Sequence, residues 1–168
     1  MRKAHFLKHT LNFKSPGGTS RGVLRTKPCW IIKLQEDDKV GFGEVSLLPE
    51  LSVDDRPDIE DYIAMALSNW EKEKETDTLK DWPSVNFAME VARRSLRSQN
   101  PFILYPSDFT QNQEGIEING LVWMGSKSEM KARIRQKLED GFRCIKLKIG
   151  AINFEDEIEL LRAIRSEY

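Results

Sequence analysis

Along the first part of the chain apolar residues recur at every second position and then at every third or fourth; beyond residue 115 the two periods alternate. Residues 3–14 read as a first strand that stops at Ser15-Pro16-Gly17-Gly18, and the loop it opens runs to about residue 26. Residues 29–35 and 40–45 alternate on either side of the polar turn Glu36-Asp37-Asp38-Lys39, which predicts a β-hairpin. Pro57 opens a helix in which Ile59, Tyr62, Ile63, Ala66, Leu67 and Trp70 share a face. After Trp82-Pro83, Ser84 is placed to cap a second helix with Val85, Ala88, Val91, Ala92 and Leu96 on its buried side. Three strands followed by two helices make an α+β arrangement over residues 1–100, and residues 101–115 have the composition of a linker.

From Ile116 the layout changes. Residues 116–123 read as a strand, Ser126 and Glu129 form a capping box, and Met130, Ile134 and Leu138 mark the inward stripe of a helix that Gly141 ends. A last helix is capped by Asn153, with Phe154, Ile158, Leu161 and Ile164 facing inward. Between the two helices lies Gly141-Phe142-Arg143-Cys144-Ile145-Lys146-Leu147-Lys148-Ile149-Gly150. Its alternation sends Ile145, Leu147 and Ile149 to one side of a strand and Lys146 and Lys148 to the other.

A strand between helices belongs to a βαβ series, whose parallel sheet is normally covered on both faces. Two lysines sheltered there would lose hydration and repel each other, which favours the neutral amine and makes at least one of them a candidate base near neutrality. On an edge or antiparallel strand they would face solvent and serve solubility alone. Two βα units can neither close a barrel nor cover their own sheet, so residues 116–168 are expected to be the start of a larger, truncated unit.

Composition narrows the classes. Of 168 residues, 39% are hydrophobic, and 26 Lys and Arg balance 27 Asp and Glu for a formal net charge of -1. That balance gives no bulk electrostatic case for nucleic acid or a membrane surface, and no apolar run is long enough to span a bilayer. Cys29 and Cys144 fall on expected strands, which points to buried free thiols and a reducing, cytoplasmic setting. The first acid is Glu36, so the start of the chain is cationic; Phe6, Leu7, Leu11 and Phe13 fit a strand better than a targeting helix, and a local cationic surface accounts for it.

Other candidate groups carry less. Arg21 and Arg25 give the first loop positive charge with which to close over an anionic ligand, although a long unstructured hairpin loop explains the same residues. No Gly-Lys-Ser/Thr follows, so it is not a Walker phosphate loop. His5 and His9 share a strand face but stand about 13 Å apart, too far for one metal ion. The apolar run Leu47-Leu48-Pro49-Glu50-Leu51 either packs under a neighbouring domain or lines a pocket. Glu155, Asp156 and Glu157 look like metal ligands on paper, but acids in a solvated first helical turn need no metal.

Taken together, Phe42-Gly43-Glu44-Val45-Ser46-Leu47-Leu48-Pro49, Phe87-Ala88-Met89-Glu90-Val91-Ala92 and the strand Ile145-Lys146-Leu147-Lys148-Ile149-Gly150 resemble the muconate-lactonising branch of the enolase superfamily. Within it the chain most resembles the o-succinylbenzoate synthase family, the menaquinone-pathway dehydratases, and covers about half of a member. The resemblance implies an α+β capping domain followed by the first two β/α units of a (β/α) barrel. It implies removal of a proton α to a carboxylate of a small-molecule substrate, with Mg²⁺ stabilising the enediolate. By the same resemblance Lys148 is the general base, which later returns its proton to the departing hydroxyl, and Lys146 lies near the carboxylate. Arg21, Leu48 and Leu51 belong to loops that close over the substrate. The magnesium carboxylates are expected beyond residue 168, so no metal ligand is assigned here and the chain alone is expected to be inactive. Dipeptide epimerisation, N-acylamino-acid racemisation and cycloisomerisation share the Lys-x-Lys strand and stay open, as does a non-catalytic α+β interaction domain; oligomeric state, including a homo-oligomer, is not fixed by sequence.

Overall fold

The computed structural model describes residues 1–19, 22–74, 81–150 and 152–167. Its elements run β1 (Arg2–Thr19), β2 (Gly22–Glu36), β3 (Lys39–Ser46), α1 (Ile59–Glu71), α2 (Pro83–Arg97), β4 (Gly120–Val122), α3 (Lys127–Glu139), β5 (Ile145–Leu147) and α4 (Phe154–Glu167). They fall into two units, residues 1–15 with 25–113 and residues 16–24 with 114–168.

In the first unit the antiparallel sheet has the order β1-β2-β3. The expected hairpin is present, with β2 and β3 paired from Glu36↔Lys39 to Cys29↔Ser46. Asp37 takes the positive φ (55°) that a two-residue hairpin loop needs, and the Met1 amine anchors its carboxylate at 2.6 Å. β1 and β2 correct the expected loop over residues 15–26, because they continue to Thr19 and start again at Gly22. Pro16 does not stop β1, since this strand lies at the sheet edge and an edge strand can spare one N–H.

Trp30, Ile32 and Leu34 alternate inward from β2 and join the buried faces of α1 and α2 in one core. β3 faces α2 with Gly41 and Gly43, and the backbones approach closely. A Cβ added at Gly43 would stand 2.0 Å from the Ala88 carbonyl oxygen, and one at Gly41 would stand 2.3 Å from that of Ala92. No side chain larger than hydrogen fits there, which accounts for the Gly-x-Gly of the strand.

Ser84 is not the α2 cap. Trp82 holds the cap position without a side-chain bond, and Pro83 occupies the first turn. Instead Asp54, buried in the loop between β3 and α1, accepts from the Ser84 backbone N–H at 2.7 Å and from its hydroxyl at 2.5 Å. Part of the cationic start is partnered: Arg2 pairs with Glu36 and Glu73, Lys8 with Glu60, and Lys27 with Glu44.

In the second unit β4 and β5 pair in parallel, and α3 and α4 both pack on one face of them. The Ser126–Glu129 capping box forms. At the other end of α3, Gly141 takes φ +88° while its N–H bonds to Leu138 O and that of Phe142 to Lys137 O, a Schellman ending. The expected strand over residues 116–123 shortens to Gly120–Val122, because β5 begins opposite Gly120 and Ile116 and Ile118 stay exposed without a partner strand among the described residues. Asn153 caps α4, accepting from Glu155 N at 2.8 Å. The inward row of α4 differs from the expected one: Leu160 and Glu157 are buried, while Phe154 and Leu161 are exposed. A two-stranded sheet offers only Val122, Ile145 and Leu147 to pack against, so the helix buries a narrow stripe.

Candidate active site

The site is built from the register of the parallel pair. Gly120, Leu121 and Val122 stand beside Ile145, Lys146 and Leu147, so Leu121 and Lys146 share the face turned away from the helices. The Lys148 N–H donates to Val122 O at 3.2 Å, which continues the ladder and sets Trp123 beside Lys148 on that same face. The Lys148 ammonium lies 4.1 Å from the centroid of the Trp123 ring. Lys148 is half-buried and Lys146 exposed, and neither forms an ion pair among the described residues. Lys148 follows the last residue of β5 directly, at the carboxyl end of the sheet, where open α/β folds place their ligands.

The end of the strand is held from α4. Gly150, at φ +98°, donates its N–H to Glu157 Oε1 at 2.5 Å, and this carboxylate is buried. Glu157 is therefore not in the solvated turn that the acidic cluster Glu155-Asp156-Glu157 predicts. Asp156 and Glu159 accept from Lys127 of α3 at 2.9 and 2.6 Å. Those bonds raise the Lys127 ammonium above its ordinary value, Glu159 first and Asp156 second, and the bond from Lys127 holds Glu159 below the usual carboxylate range. The acids of α4 thus brace the unit. Among the described residues no three His, Cys, Asp or Glu side chains converge to hold a metal ion. The residues described here do not fit a magnesium site.

Leu48 and Leu51 belong to the first unit, where Leu51 N and Ser52 N both donate to Leu48 O and the Ser52 hydroxyl accepts from Leu48 N. Leu47 fills the core of its own unit, whereas Leu48 is 37% exposed. Arg21 lies outside the described residues. Cys29 is buried and Cys144 exposed, against the expectation that both are covered, since Cys144 precedes the short β5. Periodicity gives Trp123 no role, and it places Glu157 in a solvated turn although the side chain is buried. The first needs the parallel register to be known, whereas three acids in a row hid the one that turns inward.

Residues 1–96 match the family described as "MenC, N-terminal domain". The chain is 37% identical to an o-succinylbenzoate synthase of Desulfotalea psychrophila, over 94% of its own length and 52% of the relative's. Its fold matches the crystal structure of MenC from the same organism with a TM-score of 0.78 and 28% identity, covering 99% of this chain and 53% of that one. At 20% identity and a TM-score of 0.70 it shares the fold of an o-succinylbenzoate synthase from Thermosynechococcus elongatus, complexed with magnesium in its active site, covering 97% of this chain and 48% of that one. The chain spans about half the length of the relatives it matches. Among the described residues no helix is long and apolar enough to cross a membrane.

Proposed function

Because the chain belongs to the MenC N-terminal domain family, we propose that it forms the capping domain (residues 1–100), linker (101–115) and first two β/α units (116–168) of an o-succinylbenzoate synthase. The choice of reaction is carried by the 37% identity to an o-succinylbenzoate synthase; the lysine pair on the face of a parallel sheet turned from its helices, with Lys148 at the carboxyl end, supports the proton-abstraction chemistry that the reaction shares with its relatives. Lys148 Nζ takes the proton α to the carboxylate of a cyclohexadiene substrate. The same ammonium then gives that proton to the departing hydroxyl, which leaves as water as the ring becomes aromatic. Lys146 supplies a positive charge close to the substrate carboxylate. Arg21, Leu48 and Leu51 contribute to binding the substrate and keeping water from it. Magnesium, carried by the Thermosynechococcus relative, would supply further charge stabilisation when bound; among the described residues no three His, Cys, Asp or Glu side chains converge to hold it.

The test is a fusion in which this chain replaces the matching half of the Desulfotalea psychrophila relative. It is expected to dehydrate the cyclohexadiene carboxylate, and Lys148→Ala to lower kcat by about 10³-fold. A folded fusion that epimerises dipeptides in preference, or that keeps its rate without Lys148, would overturn the proposal.

A further inference from the structure

We infer that Trp123 is a positioning residue for Lys148, holding the charged amine against its indole face; the inference rests on Lys148 being the base. Three observations converge. The register sets the two residues side by side on the face away from α3 and α4. The Lys148 nitrogen lies 4.1 Å from the ring centroid, well inside the range in which an aromatic quadrupole attracts a cation. The neighbouring pair behaves differently: Lys146, beside Leu121, has no aromatic face against it among the described residues and is exposed, whereas Lys148 is half-buried.

The chemical consequence follows from charge. An aromatic face attracts the ammonium and is nearly indifferent to the neutral amine. Proton abstraction turns a neutral Lys148 into a cation, so the attraction grows as the proton arrives and is greatest in the state that must keep it until the hydroxyl leaves. An interaction stronger along the reaction than in the ground state speeds the chemical step. Trp123 therefore fixes the direction in which the Lys148 Nζ points. The ring need not touch the substrate to do this.

Nuclear magnetic resonance tests the contact on this chain. After reductive methylation of the lysines with ¹³C-formaldehyde, the Lys148 methyl signal, identified by its loss in Lys148→Arg, is expected to lie upfield of the other lysines through the indole ring current. Trp123→Leu removes the displacement, and Trp123→Phe keeps part of it. Trp123 is 40% exposed, so neither change opens the core. In the active fusion Trp123→Leu is expected to lower kcat about tenfold with little change in KM, and Trp123→Phe to recover part of that loss. If Lys148→Ala abolishes turnover while Trp123→Leu alters neither signal nor kcat, the role of Trp123 falls and the base stands. If Lys148→Ala turns over normally, the base falls and the role of Trp123 falls with it.

Discussion

The two units of this chain spend their sequence differently. Among the described residues the first buries sixteen side chains in one core, from Trp30 on β2 to Leu96 on α2; the second buries four, Val122, Met130, Ile134 and Leu160. The first sets three antiparallel strands against two helices, and its glycines let strand and helix meet backbone to backbone. The second sets two helices on one face of two short parallel strands and leaves Leu121, Trp123, Lys146 and Lys148 on the other. A sheet face that no helix fills can carry charge. Stability thus concentrates in the unit that offers little chemistry, and the candidate base sits where packing makes the fewest demands.

The comparison breaks most sharply at Gly43. Alanine there puts a methyl group 2.0 Å from the Ala88 carbonyl oxygen, so α2 must move off β3, and neither backbone can yield locally. The expected loss is about 3 kcal/mol from the first unit. Labelling of the buried Cys29 by a soluble thiol reagent measures it, with the exposed Cys144 reacting at once as an internal standard. Burial pushes the Cys29 thiol up, which slows it further. A Gly43→Ala protein whose Cys29 stays protected would show that the tight seam is not what holds this unit together.

Helix caps compare the units at smaller amplitude. Asp54→Ala leaves the first turn of α2 with an unpaired N–H and an unpaired hydroxyl in a partly buried setting, for about 2 kcal/mol. Ser126→Ala removes an exposed cap from α3 and is expected to cost about 1 kcal/mol. Denaturant midpoints read from Cys29 protection for the first unit and from amide exchange of α3 for the second give the two values. Equal losses would mean that burial of the cap does not matter here.

These two caps also mark what the sequence could disclose. Ser126 and Glu129 are three residues apart, and Gly141 stands one residue past the Asp140 cap, so both ends of α3 are written in local spacing. Asp54 reaches Ser84 across 30 residues, and nothing local to either position announces it. The same division runs through the site. Alternation alone places Lys146 and Lys148 on one side of their strand, but Trp123 becomes their neighbour only once the register with β4 is known. The strand expected over residues 116–123 is shorter in the fold for a related reason: its residues are apolar enough, but a ladder ends where its partner does. The inward Glu157 was hidden because helical periodicity counts apolar residues and passes over an acid that serves a backbone N–H.

The smallest expected effect is a pH dependence that separates the units. Glu60 on α1 accepts from Lys8 of β1 at 2.7 Å and from the Trp30 indole of β2 at 3.1 Å, so one carboxylate joins three elements of the first unit. The bond from Lys8 first, and that from Trp30 second, hold its carboxyl below the usual carboxylate range. A carboxyl lowered on folding stabilises the native state fully above the unfolded value, near 4.3, and loses that contribution as pH falls through the folded value. The pair is exposed, with side chains 55% and 45% accessible, so screening keeps the contribution below about 1 kcal/mol. Glu60→Gln is therefore expected to lower first-unit stability slightly at neutral pH and to flatten its decline below about pH 5, with protection of α3 amides unchanged. If Glu60→Gln and the native chain lose Cys29 protection with the same slope in acid, then the apolar core alone ties α1 to β1 and β2, and the polar bridge at its edge adds nothing measurable.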